Sequence, residues 1–93
     1  PERYSLELRN YPNPFNGKTN FVFQLNNDSD IKLSIYDLNG KLIKEINKYR
    51  IRGLNELRWN GRNEMDQEIS SGVYLYILNA DGKTSSNKLI FLK

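Results

Sequence analysis

The chain has 93 residues, 14 lysines and arginines against 11 aspartates and glutamates, and neither cysteine nor histidine. That length supports one small core, burying about 60–65% of the surface that the unfolded chain exposes. The missing residue types exclude disulfides, thiolate zinc sites, Ser-His-Asp and Cys-His hydrolases, HExxH metalloproteases and thiol redox chemistry.

Only carboxylate chemistry then remains for an enzyme, and no spacing among the acidic residues singles out a pair. No catalytic residue, cofactor or metal is expected. No apolar run approaches the roughly 18 residues of a membrane span, so no membrane insertion is expected. The start, Pro1-Glu2-Arg3-Tyr4, does not read as a signal peptide, and methionine first occurs at Met65. Residues 1–93 therefore read as a single domain excised from a longer protein.

In chain order, residues 5–9 suggest an edge strand. Tyr11-Pro12-Asn13-Pro14-Phe15-Asn16-Gly17 follows. Each proline fixes its own φ and pushes the preceding residue out of the α region, which makes a stiff crossing. Phe15 is then placed to plug one end of the fold while Asn16-Gly17 turns the chain, a structural lid in preference to a recognition surface.

Residues 20–25 alternate with Phe21, Phe23 and Leu25 on one face, and residues 31–35 alternate with Ile31, Leu33 and Ile35 inward. Asn39-Gly40 tolerates φ > 0 at both central positions of a type I′ turn, which predicts a hairpin between residues 31–38 and 41–49. Leu42, Ile43 and Ile46 have helical spacing, but a short segment without a cap directly after a hairpin turn favours a strand.

Residues 56–59 form a further strand with Leu57 and Trp59 on one side, ended by Asn60-Gly61 and a polar loop over 62–71. Residues 73–78 are apolar or aromatic on both faces, the pattern of a central strand, and Asp81-Gly82 turns them into a last strand over 87–92. About seven short strands with regular turn signals predict an all-β, immunoglobulin-like antiparallel β-sandwich. Thirteen asparagines, mostly in these turns, fit residues that accept left-handed backbone and make Asx turns.

Trp59, Tyr74 and Tyr76 admit two readings, a sugar-stacking platform or core, of which core is favoured. Lys41, Lys44, Lys48, Arg50 and Arg52 around Tyr49 admit a nucleic-acid groove or a solvated edge strand, and the edge strand is favoured, so no nucleic-acid partner is expected. Asp28 and Asp30, or Asn63, Glu64, Asp66 and Glu68, lack the DxDxDG pattern of a calcium loop.

Taken in order, Tyr11-Pro12-Asn13-Pro14-Phe15-Asn16, the block from Lys32 through Tyr36-Asp37-Leu38-Asn39-Gly40-Lys41, Trp59-Asn60-Gly61-Arg62, Ser71-Gly72-Val73-Tyr74-Leu75-Tyr76 and Lys88-Leu89-Ile90-Phe91-Leu92-Lys93 resemble the type IX secretion C-terminal sorting domain family of Bacteroidetes-type bacteria. The Ig-like domain of flagellar hook-capping proteins is similar too. The resemblance implies a non-catalytic export address at the C-terminus of a longer secreted protein. It would be read as a folded module by an outer-membrane translocon and then commonly removed by a sortase-like peptidase. The partners implied are those two and an N-terminal cargo domain. The location implied is the bacterial cell surface or the extracellular space, reached through the periplasm.

Carried over as candidates for translocon recognition are Gly72, Val73 and Tyr74 with Lys88, Leu89, Ile90, Phe91, Leu92 and Lys93. Tyr11, Pro12, Asn13, Pro14, Phe15, Asn16, Tyr36, Asp37, Gly40, Lys41, Trp59 and Gly61 are expected to keep the fold. Asp66 stands where the family usually has glycine, a position that needs the left-handed region. The alternative function is a carbohydrate-binding or adhesive accessory module of a secreted hydrolase, built on Tyr74, Tyr76, Trp59 and the Asn-rich turns.

Overall fold

Alternation fixes which side of each strand turns inward. In a computed structural model, which describes residues 6–93, seven strands form: β1 (Arg9–Tyr11), β2 (Thr19–Leu25), β3 (Ser29–Tyr36), β4 (Leu42–Arg50), β5 (Gly53–Trp59), β6 (Gly72–Ala80) and β7 (Lys83–Phe91). They pair antiparallel in two sheets, ordered β1-β2-β5 and β4-β3-β6-β7. The all-β immunoglobulin-like sandwich is the architecture that the strand pattern predicts.

Phe21, Phe23 and Leu25 of β2 with Leu57 and Trp59 of β5 face Ile31, Leu33 and Ile35 of β3, Tyr74, Tyr76 and Leu78 of β6, and Leu89 and Phe91 of β7, all buried. Between the two layers Phe21 and Tyr76 pack edge to face, centroids 4.8 Å apart. Contacts of this kind supply the cohesion that a disulfide gives many sandwiches, at about 0.5–1.5 kcal/mol per aromatic pair beyond the area buried. The indole N–H of Trp59 is satisfied by the Arg62 carbonyl at 3.0 Å.

The first strand differs from expectation. Ser5 lies outside the described residues, and pairing with β2 begins only at Arg9. Glu7 has φ 51, which interrupts the extended backbone, although Leu6 and Leu8 are still buried and the Leu6 carbonyl accepts Gln24 N–H at 2.7 Å. The hairpin at Asn39-Gly40 forms, but by another turn. Gly40 has φ 87 while Asn39 is not left-handed, and Gly40 N–H bonds the Asp37 carbonyl at 3.0 Å. A longer loop results, with its glycine in the left-handed region and a bulge between Ile35 and Tyr36. The Asp37 carboxylate stabilises it by accepting the N–H groups of Asn39 and Lys41, both at 2.9 Å.

The two-residue turn with φ > 0 at both centres is instead Asp81-Gly82, with φ 54 and 71. It joins Ala80 directly to Lys83, so the last strand starts earlier than residue 87. β6 is central, as predicted, yet only one of its faces is covered: Val73 and Leu75 are exposed. Asp66 takes φ 62, in the left-handed region.

Candidate functional site

In the β6–β7 hairpin Ala80 pairs with Lys83 across a two-residue turn, so the odd-numbered residues of β7 bond to β6 and the even-numbered ones direct N–H and C=O outward. An outer edge of this kind is a template for pairing with another chain. Here Tyr11 to Phe15 cross over it. Asn13 Oδ1 accepts Ile90 N–H at 2.9 Å and Asn13 Nδ2 donates to the Lys88 carbonyl at 3.2 Å. A single side chain thus supplies the acceptor and donor that a neighbouring strand would supply. Phe15 continues the ladder in a parallel bridge, its N–H on the Ile90 carbonyl at 3.0 Å and its carbonyl taking Leu92 N–H at 2.8 Å.

The Phe15 ring is buried against Phe91 and Trp59, with centroids 5.1 and 5.8 Å away. Gly61 makes room for it: a Cβ there would stand 3.3 Å from the Phe91 ring and 3.4 Å from that of Phe15. Tyr11–Pro12 and Asn13–Pro14 are both cis peptides. The lid predicted from the prolines therefore exists, and Asn13 makes it a clamp on the last strand.

Behind the clamp runs a buried polar chain. The Tyr76 hydroxyl donates to Asn10 Oδ1 at 2.8 Å, which also accepts from Asn13 Nδ2 at 3.1 Å. Asn10 Nδ2 donates to Thr19 Oγ1 at 3.2 Å, and the Thr19 hydroxyl donates to the Pro12 carbonyl at 2.8 Å. Satisfied groups of this kind specify one geometry, because leaving any of them unpaired inside the protein is costly. Burial pushes the Tyr76 hydroxyl up to about 12. Tyr74 is also raised, first by burial and then by the Asp37 carboxylate, and its hydroxyl donates to the Ser70 carbonyl at 2.6 Å.

Of the candidate recognition residues, Tyr74, Leu89 and Phe91 point into the core and present no side chain to a partner. Gly72 opens β6 opposite Phe91, while Val73, Lys88, Leu92 and Lys93 are exposed and Ile90 is half-buried. Val73 lies directly opposite Ile90, and Leu75 opposite Lys88 and Tyr36, so these side chains share the outer face of the four-stranded sheet. Next to them Tyr36, Asp37, Leu38, Gly40, Leu75, Ile77 and Ser86 line a shallow groove of about 390 Å³. The outer face of the other sheet sets Arg9, Asn20, Gln24, Glu56 and Arg58 around Val22, with Tyr11 and Leu54 exposed at its margins. Lys93 is tied back by its N–H to Ser71 Oγ at 2.8 Å and by its ammonium to Glu68 at 3.7 Å.

Trp59, Tyr74 and Tyr76 are 2%, 6% and 0% exposed, so the stacking platform imagined for them does not exist and they are core. The basic segment around Tyr49 is an edge strand, β4. Among the described residues no three Asp or Glu gather as metal ligands. Sequence reasoning missed Asn10 and Glu64. Glu64 caps the start of the other edge of the same sheet: its N–H bonds the Ile43 carbonyl at 3.2 Å and its carboxylate accepts Glu45 N–H at 2.8 Å. That N–H, and secondarily Lys44, hold the Glu64 carboxyl below the usual range. An Asn or a Glu in a loop carries no local signal of the distant edge it will cover.

Among solved structures, the chain is similar to dimeric latent PorU from Porphyromonas gingivalis, at TM-score 0.75 and 23% identity over 91% of this chain and 9% of that one. It is similar to PorZ, an essential surface component of the type IX secretion system of the same bacterium, at TM-score 0.62 and 21% identity, covering 94% of this chain and 12% of that one. FlgD from Pseudomonas aeruginosa follows at TM-score 0.61 and 20% identity, with 94% and 78% covered. These likenesses show a shared fold, and the chain spans only about a tenth of PorU and PorZ. No curated protein matches it in sequence. The profile of one family, described as the secretion system C-terminal sorting domain, matches residues 9–92, from the start of β1 to just past β7, and the chain belongs to that family.

Proposed function

We infer that the domain acts as a folded, non-catalytic export address of the type IX pathway, and that an outer-membrane translocon reads the outer face of the four-stranded sheet beside β7. Membership of the sorting-domain family over nearly the whole chain carries this reading. It brings with it a secretion machinery, an attached cargo, and export to the cell surface or beyond it. The contact set is Val73, Lys88, Ile90, Leu92 and Lys93, with Leu75 and Tyr36 beside them. Val73, Leu75, Lys88 and Ile90 combine apolar surface with a lysine at adjoining positions of one face, whereas on the opposite sheet Tyr11, Val22 and Leu54 are separated by Arg9, Asn20, Gln24, Glu56 and Arg58. A sortase-like peptidase acting after export and an N-terminal cargo domain complete the partners.

The clamp bears on how such a reader engages the domain. With Asn13 and Phe15 occupying the Lys88 carbonyl, both outward groups of Ile90 and the Leu92 N–H, the folded strand offers mainly side chains there. A reporter fused ahead of this chain in a bacterium with the pathway should reach the medium or the cell surface. Deleting residues 88–93 should strand it in the periplasm, but that deletion also removes Leu89 and Phe91 from the core. The decisive variant is therefore Val73→Lys with Ile90→Lys, which changes the outer face and leaves the inner one intact. Loss of export with an unchanged circular dichroism melt supports the reading. Normal export of both the deletion and the surface variant overturns it.

A further inference from the structure

We propose that the outer edge of β4 at Asn47–Tyr49 binds an extended acidic segment of a partner protein by strand addition, with acidic side chains at alternate positions. Residue parity along the strand identifies the open groups. Ile43 and Glu45 direct their carbonyl and N–H outward, where Glu64 meets them. With a period of two, Asn47 and Tyr49 direct theirs the same way. Among the described residues, no hydrogen bond reaches these backbone groups. The window is bounded on its far side by Arg52, whose N–H is taken by Asp28 Oδ1 at 2.9 Å.

The other edges are poorer hosts. Asn13 and Phe15 cap β7 only from the Lys88 carbonyl to Leu92 N–H, leaving as its other outward positions Thr84 and Ser86, whose side chains carry no charge, and β1 is only 3 residues long. β5 alternates Leu54, Glu56 and Arg58 on its outer side, mixing both charges.

The chemistry of the occupant follows from the side chains beside the window. Lys48 lies opposite Ile31 and Lys44 opposite Ile35, so both are on the inner lip of the open side of the sandwich. Arg50 shares that lip, and its Nε is buried without an acceptor among the described residues. Among the described residues Lys48, Arg50 and Arg52 make no ion pair, the two pairs there being Lys44–Glu64 and Lys93–Glu68. On the outer side Tyr49 is 62% exposed, and Ile51, just past the strand, is 66% exposed. An added strand would place every second side chain against the cations and the intervening ones beside Tyr49.

Lysines alone would serve to keep an edge from pairing, and a second copy of this edge is repelled by its own charges. Uncovered Tyr49 and Ile51 do not serve that end. Together they make an edge that rejects basic or self-like strands and accepts an acidic, apolar one. A nucleic acid fits less well, because phosphates accept hydrogen bonds but cannot satisfy the carbonyls of Asn47 and Tyr49.

The test titrates a short synthetic peptide alternating Glu and Val into the 93-residue chain at low salt, followed by amide NMR shifts and hydrogen exchange. The Asn47 and Tyr49 amides should shift and gain protection. Lys48→Glu with Arg52→Glu, both exposed, should weaken binding by at least about tenfold. A peptide of the same charge with Pro at the Val positions, and one alternating Lys and Val, should both bind at least about tenfold more weakly than the parent, since strand addition needs backbone donors as well as charge. No binding at millimolar peptide, or equal binding of the proline peptide or of an oligothymidylate, overturns the proposal. So does dimerisation of the chain alone that protects Tyr49. The proline and lysine peptides need no mutant, so the test stands even if the double variant does not fold.

Discussion

Asn13→Ala removes the side chain that stands in for a strand on the edge of β7. Three contacts go: to Ile90 N–H at 2.9 Å, to the Lys88 carbonyl at 3.2 Å and to Asn10 Oδ1 at 3.1 Å. A hydrogen bond contributes about 0.5–1.5 kcal/mol net, and the exposure of Asn13 lets water replace part of what is lost, so the low end applies and the sum is about 1.5–2 kcal/mol. For a domain of this size that is a Tm drop of about 6–16 °C. The Ile90 amide loses its acceptor outright, so its hydrogen exchange should accelerate by about tenfold or more, since about 1.4 kcal/mol is a factor of ten. Leu92, whose N–H bonds the Phe15 carbonyl, should change less. Asn13→Asp keeps an acceptor for Ile90 but sets oxygen against the Lys88 carbonyl and Asn10 Oδ1, so it should destabilise at least as much as alanine. Thermal melts and amide exchange of the three proteins check this. If the Ile90 amide exchanges at the wild-type rate in Asn13→Ala and Tm stays within about 1 °C, Asn13 is a surface residue without a clamping role.

Gly61→Ala and Gly82→Ala both force alanine to φ 71, at a cost of about 1–2 kcal/mol, but only at Gly61 does the new Cβ meet Phe91 and Phe15. Denaturant melts should find Gly61→Ala the more destabilising, and equal effects would mean that the plug adjusts freely. Tyr76 has its hydroxyl pKa raised in the folded state to about 12, so its contribution to stability is present below the ordinary tyrosine range and is lost as pH rises toward that value. Tyr76→Phe should flatten the alkaline fall in urea midpoint while costing about 1 kcal/mol at neutral pH, because Asn10 Oδ1 keeps its bond from Asn13. Glu64 has the opposite sign. Its carboxyl is held low in the folded state, so its contribution is present above the ordinary glutamate range and is lost as pH falls through and below it. Glu64→Gln should remove that acid-side dependence, read as urea midpoint against pH.

What could be read from the sequence was whatever rests on period two. Phe21, Phe23 and Leu25, or Ile31, Leu33 and Ile35, show their inner face in their spacing, and about seven short strand segments set off by turn signals leave little choice of architecture. Turn chemistry was less legible. Asn39-Gly40 carries the stronger type I′ signature, yet the Asp37 carboxylate two residues before Asn39 captures two N–H groups and draws the loop into a longer form. Asp81-Gly82 has no such competitor and makes the two-residue turn. Least legible were contacts between residues far apart in sequence. The proline spacing marked a stiff crossing, but that Asn13 would meet Ile90 depends on the pairing of β6 with β7 and on Phe15 seating beside Trp59, neither of which is local.

Each edge of the four-stranded sheet is capped over part of its length by one device. A loop side chain, Asn13 on β7 and Glu64 on β4, imitates part of a strand without adding one. Covering an edge with a whole strand would bury side chains on both faces beside it. An imitation of one residue leaves the neighbouring outer face, with Val73, Leu75 and Ile90, open to solvent or to a partner. The clamp also fixes that face, because Asn13 holds the backbone of Ile90 and, through Asn10, the hydroxyl of Tyr76 on the adjacent strand. Val73 and Ile90 are therefore held at a set spacing by a residue that a partner on that face need not touch. Under the proposed reading, Asn13→Ala should impair export of a fused reporter at temperatures where the domain is still folded. Val22→Lys, on the outer face of the other sheet, should leave export unchanged. If export under Asn13→Ala follows only the fraction folded, the clamp serves stability alone.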